Sequence, residues 1–372
     1  MPFRVRHSLR WNSSDMRVVI PAQNIYRAGR CIPLGTPVDP LHHAPCSAPD
    51  DFMRHAVILG STGSGKSNTA SYLARELSRH ASVVIIDWYG EHIDEGDVVI
   101  DPAAGDPVPM PADRVSMLEL LEEVLDLSPS QSYVLMKVLR DGIGLEELVK
   151  EVEYLTPEGR WENESRLALI RRLSPLAYSN IRSVAGGWGD TALGDKLVSV
   201  LDLSRVHPVS SRRLVALSML RYLETVASPG RRVFVIVEEA QNLVKANGVV
   251  ARQVAEVRKK GLGIVLVTQS PSRLGEDILL NINVRIIHSL RSWADIEVMA
   301  RSSALGSEAY RVLPKLRVGE ALVEYHALSR PLLVRFPKVI EPGEGGEHRL
   351  DDAGIREPVD AEEAPPLPGE RH

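Results

Sequence analysis

The stretch Gly60-Ser61-Thr62-Gly63-Ser64-Gly65-Lys66-Ser67 constrains this chain more than any other. It follows the apolar run Ala56-Val57-Ile58-Leu59 and precedes Asn68 to Arg79, where apolar residues recur at helical period. A strand, a GxxxxGK-Ser turn and a helix in that order form a phosphate-binding loop. Glycines at 60, 63 and 65 let the backbone curl so that successive N–H groups point inward at phosphate oxygens. The positive end of the following helix adds to the attraction. Lys66 reaches the β- and γ-phosphates, and the Ser67 hydroxyl completes a Mg²⁺ shell. The expected nucleotide contacts are therefore Gly60, Ser61, Thr62, Gly63, Ser64, Gly65, Lys66, Ser67 and Asn68, with ATP and Mg²⁺ as cofactors.

At 372 residues the chain holds one large α/β domain with appendages, or two domains. No apolar run approaches the roughly 20 residues that span a bilayer, and the N-terminus lacks a signal-peptide core. With only Cys31 and Cys46 present, a cytoplasmic location is expected. His42, His43 and Cys46 lie close together and read as loop residues rather than a metal site. The net charge of −5 divides unevenly: residues 341–372 hold ten acidic residues and three arginines, which leaves the body at about +2. Rich in Pro, Gly and Glu, that tail cannot bury enough apolar surface to fold alone. A mildly basic body, charged mostly through Arg, suits phosphate contacts.

Residues 1–50 contain short strand-like runs and read as a small β module. Ser82 to Asp87 is a continuous apolar strand of the kind buried in parallel sheets, ending in Asp87-Trp88-Tyr89-Gly90-Glu91-His92. Residues 113–190 are mostly of helical period and form an insertion into a core over 51–340. Strands return at Lys196–Leu203, Val233–Val237 and Gly263–Gln269, with helices over 210–227 and 249–260 between them. Alternating strands and helices predict a RecA-like α/β domain with a mainly parallel sheet.

Catalytic groups belong at the strand ends. Four apolar residues running into Glu238-Glu239 form a Walker B pattern: Glu238 holds Mg²⁺, and Glu239 polarises the attacking water. Asp87 and Glu91 lie near the metal. Gln269 senses the γ-phosphate or orients the water. An arginine, often from a neighbouring subunit, is needed to stabilise charge on the transferring group. Arg258 is the first candidate and Arg285 the second.

Several stretches together resemble the HerA branch of the HerA–FtsK superfamily of ring-forming, ATP-driven DNA pumps. They are ILGSTGSGKSN, DWYGEH, VSVLDLS, VEEAQN, VRKKGLGIVLVTQSPSRL and NVRIIHSLRSWADIE, and they cover about residues 55–336. The resemblance implies a hexameric ring with ATP sites between subunits and duplex DNA in the pore. It also implies cooperation with a NurA-like nuclease in DNA end resection, chiefly in archaea. Two departures stand out: the segment before the core strand is short for the nuclease-docking barrel of the family, and Gly-Glu-His replaces the usual Gly-Glu-Tyr.

Arg171, Arg172, Arg182, Lys245 and Arg252 are candidate pore contacts to DNA phosphates, which would make binding salt-sensitive and independent of sequence. The reading is an ATP-driven double-stranded DNA translocase. The alternative of another class is a nucleotide-dependent scaffold or clamp with slow turnover. A pump acting on protein or single strands is a third, though its membrane-anchored versions carry transmembrane helices.

Overall fold

A computed structural model describes residues 31–179, 181–185, 193–245, 248–256 and 260–339. These fall in the unit Met1–Val339; the unit Ile340–His372, which contains the acidic tail, lies outside them, as do residues 1–30 of the N-terminal β module.

The apolar runs assemble into one ten-stranded sheet. Its strands are β1 (Thr36–Pro37), β2 (Ala56–Leu59), β3 (Ser82–Asp87), β4 (Val98–Ile100) and β5 (Val198–Asp202), followed by β6 (Val233–Val237), β7 (Leu262–Thr268), β8 (Val284–Ile287), β9 (Glu320–Glu324) and β10 (Leu332–Arg335). Their order is β1-β10-β9-β8-β2-β7-β6-β3-β5-β4. From β8 through β4 every pairing is parallel, while β9, β10 and β1 extend the sheet in antiparallel fashion. The central strands β2, β3, β6 and β7 are buried at every residue. Strands this apolar need cover on both faces.

Pleating supplies two cores, because successive side chains point to opposite faces. Ile58, Val83, Ile85, Phe234 and Ile236 enter one core. Helix α1 (Lys66–Ser78) covers it through Ala70, Leu73, Ala74 and Leu77, a helical stripe of spacing three and four. Leu59, Val84, Ile86, Val235 and Val237 enter the other core. There they meet α2 (Arg114–Leu125), α3 (Pro129–Val138), α4 (Leu145–Tyr154), α5 (Arg160–Ala177) and α6 (Val209–Val226). The helices over 114–177 are bracketed by two short strands, Val108–Met110 and Ser183–Ala185, that pair in parallel. Local signals start them: Asp113 caps α2 by accepting from the Ser116 amide at 2.8 Å, and Ser128 and Gln131 form a capping box on α3. Beyond them lie α7 (Val249–Glu256), after β6, and α8 (Trp293–Ser302), after β8.

Cys31 and Cys46 are joined by a disulfide with their Cα atoms 5.7 Å apart, which corrects the reading of these cysteines. Their small number carries no argument for a reducing compartment, and Cys46 is not available to join His42 and His43. Among the described residues no group of three His, Cys, Asp or Glu is placed to hold a metal ion. No helix among them is long and apolar enough to cross a membrane.

Candidate nucleotide site

The loop after β2 is pinned from two neighbouring strands: the Gly60 amide donates to Thr268 O at 3.3 Å and the Ser61 amide to Ser289 O at 2.7 Å. Gly63 (φ 72°) and Gly65 (φ 107°) occupy the left-handed region, where a Cβ is unfavourable. A Cβ on Gly60 would stand 2.4 Å from Ser64 Oγ and 2.7 Å from His288 Cβ, so this turn also needs glycine for room. His288 is fully buried behind the loop. It bonds Thr69 Oγ1 through Nε2 at 3.0 Å and Glu320 O through Nδ1 at 2.9 Å. A carbonyl only accepts, so the proton sits on Nδ1. Burial drives the ring's pKa down to about 4, with Lys66 adding to the effect, and His288 is a neutral strut.

In front of the loop is a cavity of about 350 Å³ lined by Thr62, Gly63, Gly65, Lys66, Ser67, Asn68, Asp87, Tyr89, Glu91, Glu238, Glu239 and Val318. The C-terminal ends of β2, β3 and β6 thus bring together groups that are more than 150 positions apart in the chain. Lys66 is buried, and its Nζ reaches Ser61 O at 3.3 Å. Burial lowers its pKa, against the pull of Glu239, Glu238 and Glu91.

Glu239 sits at φ 49°, ψ 43°, left-handed backbone that a non-glycine residue adopts at a cost of about 1–3 kcal/mol. That turn delivers its carboxylate to two amides. Gln241 donates to Oε2, and Gln269 Nε2 donates to the same oxygen at 3.2 Å. Gln269 in turn accepts from Thr62 Oγ1 at 2.7 Å, and Gln241 accepts from Thr268 Oγ1 at 2.5 Å. The base candidate is therefore oriented from both the phosphate loop and β7. Sequence reasoning singled out Gln269 but missed Gln241 and the Thr62 contact.

Glu238 is buried beside it and accepts from His92 Nε2 at 3.0 Å. Burial pushes the Glu238 pKa up against this hydrogen bond. Desolvation alone would lower His92, but its hydrogen bond to Glu238 and the nearby Glu95 carboxylate outweigh that and raise it to about 10. His92 was not read as functional; its signal was the departure from Gly-Glu-Tyr. Ser67 Oγ donates to Glu91 Oε2 at 2.6 Å, so Glu91 stands beside the hydroxyl expected to meet Mg²⁺. Asp87, expected near the metal, lines the same cavity and also holds the loop. Its Oδ1 accepts from the amides of Tyr89 (3.2 Å) and Gly90 (2.9 Å), and its Oδ2 from that of His92 (2.8 Å).

Other expected contacts find different work. Asn68 lines the cavity, but its amide binds Pro337 O at 2.9 Å and the Val339 amide at 2.8 Å. Arg285, the second arginine candidate, is tied within its own chain to Glu324 at 3.0 Å and to Leu279 O at 2.9 Å. It is a part of the sheet, not a free finger. Arg258 lies outside the described residues. Of the candidate DNA contacts, Arg172 caps α2 at the carbonyls of Leu125 and Asp126, Lys245 is paired with Asp126, and Arg252 with Glu119 at 3.1 Å. Glu119 of α2 and Asp126 just beyond its end thus pair with two of these cations. Arg171 and Arg182 are exposed.

The residues present fit a nucleotide with its metal. Ser64 Oγ is buried with no hydrogen-bond partner among the described residues, the glycine turn leaves its inner face open, and the metal-side donors are all oxygens. Mg²⁺ prefers that donor set and takes one or two carboxylates together with phosphate oxygens and water, so no preformed cage of three acids is needed. A glycine loop, a buried lysine, paired acids and an amide at the ends of a parallel sheet define a RecA-like P-loop ATPase.

Comparison with known proteins gives the family. The model of the helicase HerA central domain matches residues 35–222, and that of the helicase HerA-like C-terminal domain matches residues 235–342. The chain belongs to the HerA helicase family, and it is a nucleotide-binding ATPase of helicase type. It is 26% identical over 365 residues to a probable DNA double-strand break repair helicase HerA of Methanocaldococcus jannaschii, covering 77% of this chain and 72% of that one. To the DNA double-strand break repair helicase HerA of Saccharolobus solfataricus it is 24% identical over 327 residues, covering 77% and 65%. In fold it is similar to VirB4 of Thermoanaerobacter pseudethanolicus (TM-score 0.64, 16% identity, 84% of this chain and 97% of that one). It is similar too to the plasmid coupling protein TrwB in complex with ADP and Mg²⁺ (TM-score 0.59, 16% identity, 81% and 88%).

Proposed function

We propose that the protein is an ATP-driven motor that moves double-stranded DNA through a homohexameric ring, in DNA end resection and repair with a NurA-like nuclease. The observation that carries the motor reading is the Thr62–Gln269–Glu239 bridge: one amide connects the phosphate loop, the base and the end of β7. Occupancy of the loop is thereby felt at a strand that leads, through Ser270 and Ser272, to Asp295 on α8. Duplex DNA as substrate is supported by the relatives that are DNA double-strand break repair helicases.

In this reading Lys66 and the loop amides hold the triphosphate, while Ser67, Glu238 and Glu91 hold Mg²⁺. The metal, when bound, neutralises charge on the β- and γ-phosphates. Glu239 accepts the proton of a water that its two amides keep in line, and Arg258 reaches the site of the neighbouring subunit. Exposed Arg171 and Arg182 are the remaining described candidates for DNA phosphate. The test is the steady-state ATPase rate with and without long duplex DNA, on protein whose assembly is followed by mass. Several-fold stimulation that disappears at high salt is expected. A slow rate indifferent to DNA, with or without the nuclease, would replace the motor by a scaffold.

A further inference from the structure

His92 is fully buried among polar groups of three elements. Its backbone amide is fixed on Asp87 at 2.8 Å, and its ring lies between two elements. Nε2 is 3.0 Å from Glu238 Oε1 at the end of β6, and Nδ1 is 3.1 Å from Ser71 Oγ on α1. Glu95 Oε2 stands 3.9 Å from Nδ1, an ion-pair distance rather than a hydrogen bond. The Ser71 hydroxyl spends its single proton on Ser67 O at 2.9 Å, so toward His92 it accepts. A carboxylate likewise only accepts. Both ring nitrogens therefore donate, one to each side.

The result is a continuous buried line from Ser67 through Ser71 and His92 to Glu238. It joins the two residues that bracket the metal position, one on the phosphate-loop helix and one on the Walker B strand. Glu238 Oε1 is engaged by the ring, while Oε2 takes no hydrogen bond from the described residues and is the oxygen left for the cavity.

We propose that His92 is a positioning residue, which sets the orientation of Glu238 and its separation from Ser67 so that Mg²⁺–nucleotide finds both in place. The strut belongs to this chain's departure from Gly-Glu-Tyr. It holds the Glu238 side chain at one oxygen instead of leaving it free to swing. The proposal rests on the cavity being a Mg²⁺–nucleotide site.

The test uses full-length protein and a fluorescent ADP analogue, whose binding is followed as Mg²⁺ is titrated and again without Mg²⁺. Groups that hydrogen-bond a metal ligand typically carry about 10–100-fold in metal affinity, so His92→Leu is expected to raise half-saturating Mg²⁺ by about tenfold or more and leave metal-free ADP affinity unchanged. His92→Gln, whose amide nitrogen falls near the position of Nε2, is expected to recover most of the loss. Overturning results are a folded His92→Leu with wild-type Mg²⁺ dependence, or His92→Gln as impaired as His92→Leu when both melt like wild type. Should His92→Leu not fold, Ser71→Ala decides: a raised Mg²⁺ requirement supports the strut, and an unchanged one overturns it. If wild-type protein binds no ADP analogue at all, the reading of the cavity itself falls, an outcome distinct from every one above.

Discussion

Gln269 donates to the Glu239 carboxylate at 3.2 Å from the end of the adjacent strand, while Thr62 of the phosphate loop holds the other end of the same amide. The base is thus aimed by a group that also touches the loop. Glu239→Gln keeps the shape and removes the basicity: nucleotide binding should persist while turnover falls by about 10²–10⁴-fold. Gln269→Ala should leave KM nearly unchanged and lower kcat by up to about 100-fold, as expected for lost alignment. Equilibrium binding of nucleotide beside steady-state kinetics separates the two effects, and an unchanged rate in Glu239→Gln would remove it as the base.

Arg258 is proposed to act across a subunit boundary. Arg258→Ala and Lys66→Ala subunits should each be inactive alone. Mixed rings should recover part of the activity, because some sites then combine an intact loop with an intact arginine. Recovery is read from ATPase rate against mixing ratio, with mixing verified by mass. No recovery in verified mixed rings would count against the trans role.

The arginines of the helical segment should separate by partner. Arg182→Ala removes an exposed cation, and it should weaken duplex binding for all sequences and reduce the salt slope by about 1. Arg172→Ala removes the cap on the Leu125 and Asp126 carbonyls and should instead lower stability by about 1 kcal/mol, with DNA affinity unchanged. Fluorescence anisotropy at several salt concentrations and urea unfolding distinguish the outcomes.

Two buried histidines predict pH effects of opposite sign. His288 falls from 6.5 to about 4 on folding, so the unfolded chain binds more protons between those values, and stability drops as pH falls through that window by about 1.4 kcal/mol per unit. His92 rises from 6.5 to about 10; its contribution is complete below 6.5 and is lost as pH rises toward 10. Urea unfolding of metal-free protein across both windows should show His288→Gln flattening the acid limb and His92→Gln the alkaline limb.

Much of the fold was legible because it is local. The strands over 233–237 and 82–87 and the helix over 209–226 follow from continuous apolar runs and helical period, signals carried by neighbours in the chain. The three-residue edge strand Val98–Ile100 was harder, because pairing with β5 decides it. The partners of Arg285, Arg172 and Lys245 were hidden for a related reason: a cation shows its charge in the sequence, but its partner, 39, 47 or 119 positions away, appears only when the chain is packed.

The sequence by itself determined the phosphate loop, the paired acids and the parallel sheet, since spacing and apolar runs encode backbone curl, strand ends and burial. Only the tertiary structure decided which oxygen of each acid is held and by what. Gln269 and Gln241 meet Glu239, and His92 meets Glu238, because parallel pairing of β3, β6 and β7 sets their ends side by side. Hydrogen bonds act over about 3 Å, and that proximity is a property of the packed sheet rather than of the order of residues along the chain.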